Sequence, residues 1–237
     1  MTPFISSAGF FSGAFIYFFM FGIMILGAIV SWRLNAKVKK YSKIPLQSGL
    51  TGKEVAAKML ADNGIYDVRI ISTAGRLTDH YNPQDKTINL SEAVYSSNSV
   101  AAAAIAAHET GHALQHAQGY APLRMRSALV PAVQFSSYIV QWVLLAGIIM
   151  VQTFPQLLLV GIILFAVTTL FSFVTLPVEI NASARALAWL RTAGVTTPEQ
   201  QPQAFHALKT AAYTYVIAAL GSLVTLLYYI SIFARRD

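Results

Sequence analysis

Cysteine is absent from the 237 residues. That excludes disulfides, thiol catalysis and thiolate-bound zinc, so any metal site must be built from histidine and carboxylate. Charge is nearly as scarce. Only 11% of residues are Asp, Glu, Lys or Arg, less than half of the roughly 25% of a soluble domain. None occurs from Met1 to Trp32, from Ser127 to Val178, or from Thr210 to Ala234. A bilayer-spanning helix takes about 20 apolar residues. The outer two windows therefore hold one span each, and the middle one holds two, divided at Gln152-Thr153-Phe154-Pro155-Gln156. The expected spans lie near residues 9–31, 129–151, 156–176 and 211–233.

A positive n-region ahead of the first apolar stretch, the mark of a signal peptide, is also missing. Arg33, Lys37, Lys39, Lys40 and Lys43 follow that stretch instead, so it reads as a retained anchor with its N-terminus outside. The net charge of +7 does not point to nucleic acid, because the basic residues are placed by topology. Twelve of the 17 lie between residues 32 and 127 and three between 177 and 210. Positive loops stay cytoplasmic, which sets both polar segments in the cytosol, with Arg235 and Arg236 against the rule. Juxtamembrane lysines also favour anionic lipid headgroups.

The expected architecture is a mainly α integral membrane protein of about four transmembrane helices with a small α+β, zincin-like cytosolic catalytic domain. Its segments are an anchor (1–32), the catalytic domain (33–127), a transmembrane hairpin (128–176), a second cytosolic segment (177–210) and a C-terminal span (211–237). Within the first polar segment, Thr51-Gly52-Lys53-Glu54 has capping-box spacing before an apolar-periodic run to Leu60, and Asp62-Asn63-Gly64 ends it. Val68 to Ile71 reads as a short strand. A hairpin follows: Arg76 to Tyr81, a turn at Asn82-Pro83-Gln84-Asp85, then Lys86 to Leu90. Ser99 caps an alanine-rich helix through about Ala117. In the second polar segment a helix runs to about Arg191, Ala193-Gly194 stops it, and Thr197-Pro198-Glu199 starts another short helix.

His108-Glu109-Thr110-Gly111-His112 is an H-E-x-x-H sequence on that alanine-rich helix. Residues i and i+4 share a helix face, so both imidazoles can reach one ion, and the glutamate beside them can hold a metal-polarised water as general base. A catalytic zinc usually takes three protein ligands and keeps one position open. His116 lies another turn along, too far for a third bond near 2 Å, and reads as a supporting or structural residue. Glu179 is the only acidic residue between Glu109 and Glu199. It is the better third ligand, although a lone carboxylate there also suits a surface group or an ion-pair partner of Arg185. Candidates to stabilise the transition state are Arg185, Tyr213, Tyr215 and His80. The strand Lys86 to Leu90 is a candidate edge for an extended substrate.

Several stretches resemble the YugP-type neutral zinc metallopeptidases of bacterial membranes. They are Leu77 to Tyr81, Ile88 to Tyr95, Ala106 to Ala113, Pro177 to Ser183, and Ala211 to Tyr215. The resemblance implies a zinc-dependent endopeptidase of bacterial membranes; with the topology read above, the expected location is the inner membrane, multi-pass, with the active site facing the cytosol. The resemblance also implies one catalytic Zn2+ and supports Glu179 as third ligand. A more distant likeness is to membrane proteases with a later E-x-x-A-D, where Ser183 here replaces the Asp that orients a ligand histidine. The expected partners are a protein or peptide substrate and membrane lipid, with no nucleic acid; a homo-oligomer or a membrane-protein partner is left open. The rival readings are an intramembrane-cleaving zinc protease and a non-catalytic scaffold with a structural metal site.

Overall fold

The computed structural model describes residues 13–235, with side-chain surroundings from Ile16 onward. Residues 9–12 of the first expected span lie outside the described residues. The elements in chain order are α1 (Gly13–Tyr41), α2 (Gly52–Asp62), β1 (Arg69–Thr73), β2 (His80–Asn82), β3 (Thr87–Ser91), α3 (Glu92–Tyr95), α4 (Val100–Ala117), α5 (Ala121–Ile149), α6 (Pro155–Thr192) and α7 (Gln201–Ala234). They form two compact units. One holds the described residues up to Ile29 with Arg126–Val174 and Tyr215 onward; the other holds Val30–Met125 and Thr175–Thr214.

Four helices, each with part of its length in the first unit, are long and apolar enough to cross a membrane: α1 from Ile16, α5, α6 and α7, with mean hydropathies of 1.8, 1.6, 2.7 and 2.1 in their most apolar windows. Their large apolar side chains stay outside: Phe18, Trp142 and Ile149 are 76%, 72% and 76% exposed. In water such a surface would aggregate, whereas hydrocarbon accommodates it. The α5–α6 hairpin is tight because two glycines remove side chains from its seam. A Cβ on Gly147 would fall 2.6 Å from Leu158 Cα, and one on Gly161 would fall 2.7 Å from the Leu144 side chain.

The second unit has a core of Val55, Met59, Ile88, Leu90, Val100, Ala104, Ala107 and Leu190, all fully buried. Helix α4 runs through it. Alanine suits this place twice over, as the best helix former and as a side chain small enough for neighbours to approach on every side. Local chemistry fixes the helix ends. Thr51 and Glu54 form the expected capping box at α2, and Ser99 Oγ accepts the Ala102 N–H at α4. Three helices then stop in the same way, with Gly64, Gly119 and Gly194 at φ of 69°, 62° and 64°. In each, the next residue's N–H returns to the last turn, as Tyr120 N–H does to Gln115 O at 2.9 Å. This is the Schellman closure, whose left-handed residue is cheapest as glycine.

The three-stranded sheet has the order β1-β3-β2. β1 pairs parallel to β3 with Ile70 opposite Ile88, and β2 pairs antiparallel with Tyr81 opposite Ile88. A hairpin forms where expected, but its first strand is only His80–Asn82 rather than Arg76 to Tyr81, and β3 cannot be a substrate edge. Its backbone groups are engaged on both sides and all five of its residues are buried. The edge strand of the hairpin is β2. A second difference lies after Gly194. No short helix starts at Thr197; that residue opens a turn, and α7 then runs unbroken from Gln201.

Candidate metal centre

Two helices supply the centre. On α4, His108 and His112 are one turn apart, and their rings meet edge-on at 4.8 Å between centroids. On α6, Glu179 is 3% exposed. Its Oε2 lies 3.2 Å from His108 Nε2 and 3.6 Å from His112 Nε2. Ligand atoms of all three residues lie within 4.8 Å of one another, and they are the only such His and carboxylate group among the described residues. For a tetrahedral ion with bonds of about 2.0–2.1 Å, neighbouring ligand atoms stand about 3.3–3.4 Å apart. The two measured edges bracket that value, so this donor set fits zinc.

The helices meet because Gly111 lets them. A Cβ there would sit 2.7 Å from Ala182 O and 3.2 Å from Ala182 C and Cα. Ala182 is three residues, nearly one turn, past Glu179, so close backbone approach at Gly111 sets the reach of the carboxylate.

The outer ring nitrogens are held as well. Ser183 Oγ is 3.1 Å from His108 Nδ1, which leaves Nε2 for the metal. His112 Nδ1 is 3.1 Å from Gln115 Oε1. Because an amide oxygen only accepts, the ring proton sits on Nδ1 and the Nε2 lone pair points inward. Gln115 is fully buried, and its amide nitrogen donates to Val178 O at 2.8 Å and to Asn181 Oδ1 at 3.0 Å. Sequence reading passed over Gln115 and Asn181. The available signal was the i+3 spacing of Gln115 from His112, but a glutamine on a helix looks like a surface residue until its partner helix is known.

Glu109 is 8% exposed and stands outside the three-ligand group. For the metal-free imidazole of His112, burial works to lower the pKa. The Glu179 hydrogen bond and the negative fields of Glu109 and Glu179 outweigh it and raise the value.

The other candidates are dispersed. His116 Nδ1 is hydrogen-bonded to the Tyr81 hydroxyl at 2.7 Å, outside the ligand group. The Tyr81 phenol is pushed up to about 12, by burial first and then by the negative Asp67. His80 is exposed, its Nδ1 donating to Thr78 O at 2.8 Å. Arg185 donates from Nε to Asn181 Oδ1 at 2.7 Å and from Nη1 to Gln118 Oε1 at 2.5 Å. Tyr213 is 46% exposed with Lys209 against its ring, and Tyr215 is 37% exposed.

A family model described as "Putative neutral zinc metallopeptidase" matches residues 16–234. A curated relative, "Putative membrane protease YugP" of Bacillus subtilis (strain 168), is 40% identical over 207 residues, covering 87% of this chain and 91% of its own. No solved structure matches. A match over nearly every described residue, together with a donor set suited to zinc, leaves one assignment: the chain is a membrane protein belonging to the neutral zinc metallopeptidase family.

Proposed function

We propose that the protein is a zinc-dependent endopeptidase that cuts membrane or membrane-associated proteins, with Glu109 as its general base. The observation that supports this best is the convergence of three ligand atoms, not four, beside a buried carboxylate that is not one of them. A structural zinc is enclosed by four protein ligands. Here the next histidine along α4, His116, is hydrogen-bonded to Tyr81.

His108, His112 and Glu179 would hold the zinc, which when bound polarises water and the peptide carbonyl. Glu109 takes the proton of the attacking water on its carboxylate and delivers it to the leaving amine. Ser183 and Gln115 keep both imidazoles in the metal-binding tautomer. Arg185 is held through Nε and Nη1 and offers its remaining N–H donors to the carbonyl oxygen as negative charge develops. Arg185→Lys should then lower turnover while zinc stays bound; unchanged turnover removes it from this role.

Two further parts of the proposal rest on placement along the chain. Glu179 belongs to the same helix as the most apolar window, which favours substrates already at a membrane. The basic residues between 32 and 127 favour a cytosolic active site in the bacterial inner membrane, and the segment boundaries expected at 33–127 and 177–210 describe the catalytic part. The zincin-like character of that part is proposed on the same grounds.

The deciding experiment uses the full chain in detergent with zinc. Cleavage of an unfolded protein is compared between wild type and Glu109→Gln, with bound metal quantified in both. Cutting by the wild type alone, at equal metal content, is the expected result. If neither cuts while both hold one zinc, the site is structural.

A further inference from the structure

Between Val100 and Gln115, only Ile105 and His108 of α4 are not buried. They are three residues apart. Ile105, Glu109 and His112 follow at i, i+4 and i+7, which is one helix face. The metal centre and the surface just N-terminal to it on α4 therefore open along the same strip.

That neighbouring surface is a cavity of about 110 Å3, whose lining includes Ile105, Ala101, Lys39, Arg76, Leu77 and Asp79. The volume exceeds three times the roughly 30 Å3 share of a water molecule, enough for a short side chain. Two cations, Lys39 and Arg76, line the cavity against one carboxylate, Asp79. The Asp79 carboxylate is engaged, accepting from Ser91 N at 2.7 Å and from Ser91 Oγ at 3.0 Å. No ion pair joins Lys39 or Arg76 to an acidic group among the described residues. The loop carrying Arg76 is held in a costly shape, with Leu77 at φ 57°, a conformation that non-glycine residues rarely adopt and that persists at ligand-binding positions.

We infer that this cavity is a substrate subsite for an acidic side chain, within about two residues of the cleaved bond. The spacing follows from the helix. Ile105 lies about 4.5 Å along α4 from His108, and an extended peptide advances about 3.3 Å per residue. Lys39 and Arg76 of the lining then meet the carboxylate, while Ile105 and Ala101 receive its methylenes. The inference rests on the endopeptidase reading for the position of the cleaved bond, but the anion site itself does not.

The test separates the two. Full-length Glu109→Gln protein is placed in phosphatidylcholine nanodiscs with zinc. Binding of fluorescent peptides that differ only by Glu or Lys at each position is measured by anisotropy. We expect one position at which Glu binds about tenfold tighter than Lys. Lys39→Glu with Arg76→Glu should invert that preference, and Lys39→Arg with Arg76→Lys should keep it. Loss of the preference in the parent protein, or its survival in the double reversal, overturns the subsite. So does a reversal that changes only binding to phosphatidylglycerol nanodiscs, which would assign the cavity to a lipid headgroup. A preference in binding with no cleavage by protein retaining Glu109 would instead defeat the peptidase reading and leave the anion subsite standing.

Discussion

Gly111→Ala is the most informative single perturbation, because it adds one methyl group at the point where the metal-bearing helices touch. The new Cβ would stand 2.7 Å from Ala182 O, where ordinary contact begins at 3.4 Å. The difference is 0.7 Å, and the obstacle is backbone, so no rotamer change relieves it. Either α6 moves away by several tenths of an ångström or α4 does. Zinc tolerates departures of only about 0.2 Å in its bond lengths, and the ligand gaps of 3.2 and 3.6 Å leave little slack. Overpacking costs about 1–3 kcal/mol, while alanine gains about 1 kcal/mol of helix propensity over glycine. Stability should therefore fall modestly, by about 0–2 kcal/mol, and zinc affinity should fall more clearly, by about 10- to 100-fold. Competition against a chromophoric chelator, on the full chain in detergent, measures the second quantity and thermal unfolding the first. Gly22→Ala is the control, since nothing lies within 4 Å of a Cβ there. Zinc binding by Gly111→Ala within threefold of wild type would refute the argument that close helix approach sets the metal geometry.

Gln115→Leu should leave the His112 N–H without its partner, while Asn181 Oδ1 keeps Arg185. Each unsatisfied buried group costs about 1–3 kcal/mol, and zinc affinity should drop about 10-fold or more; a cobalt-substituted spectrum unchanged from wild type would contradict this. Ser183→Ala should weaken zinc binding and Ser183→Asp restore or strengthen it, read by the same chelator competition, because a carboxylate is the stronger acceptor for the His108 ring proton. Thr51→Ala should destabilise the protein by about 0.5–2 kcal/mol in denaturant melts. The capping box also has a pH signature. The Thr51 backbone and side-chain hydrogen bonds hold the Glu54 carboxyl below its ordinary 4.5. Its contribution is thus full above that value and fades as pH falls through the lower folded one. Thr51→Ala should flatten that acid limb.

Local and periodic features of the chain were legible in its sequence. Charge-free windows announced the spans, because burial of charge in hydrocarbon is costly at every position. Thr51, Ser99, Gly64 and Gly194 announced helix ends, because caps are made by residues within four positions of one another. The imidazole pair was legible for the same reason, being one turn apart. What depended on distant partners was hidden. The alternation of Thr87-Ile88-Asn89-Leu90 looked like a half-buried edge, yet β3 is central because β1, joined through a crossover, pairs on its other side. Gln115 resembled a solvated helix residue until Val178, 63 positions later, proved to be its partner. The turn at Thr197 was visible, but not that the helix after it would continue into the last span, since a cap marks where a helix starts and not how far packing carries it.

The third candidate ligand arrives late. Glu179 is 71 residues downstream of His108, and all of α5 and the apolar first part of α6 are synthesised between them. A nascent chain that has emerged only through α4 carries His108, His112 and Glu109 but not Glu179. The geometry that selects zinc is therefore incomplete until the hairpin has been translated and inserted. Maturation is built into the order of the polypeptide. On the proposed function, a copy that stalls before α6 lacks the third ligand and should be inert with no propeptide or inhibitor to hold it so.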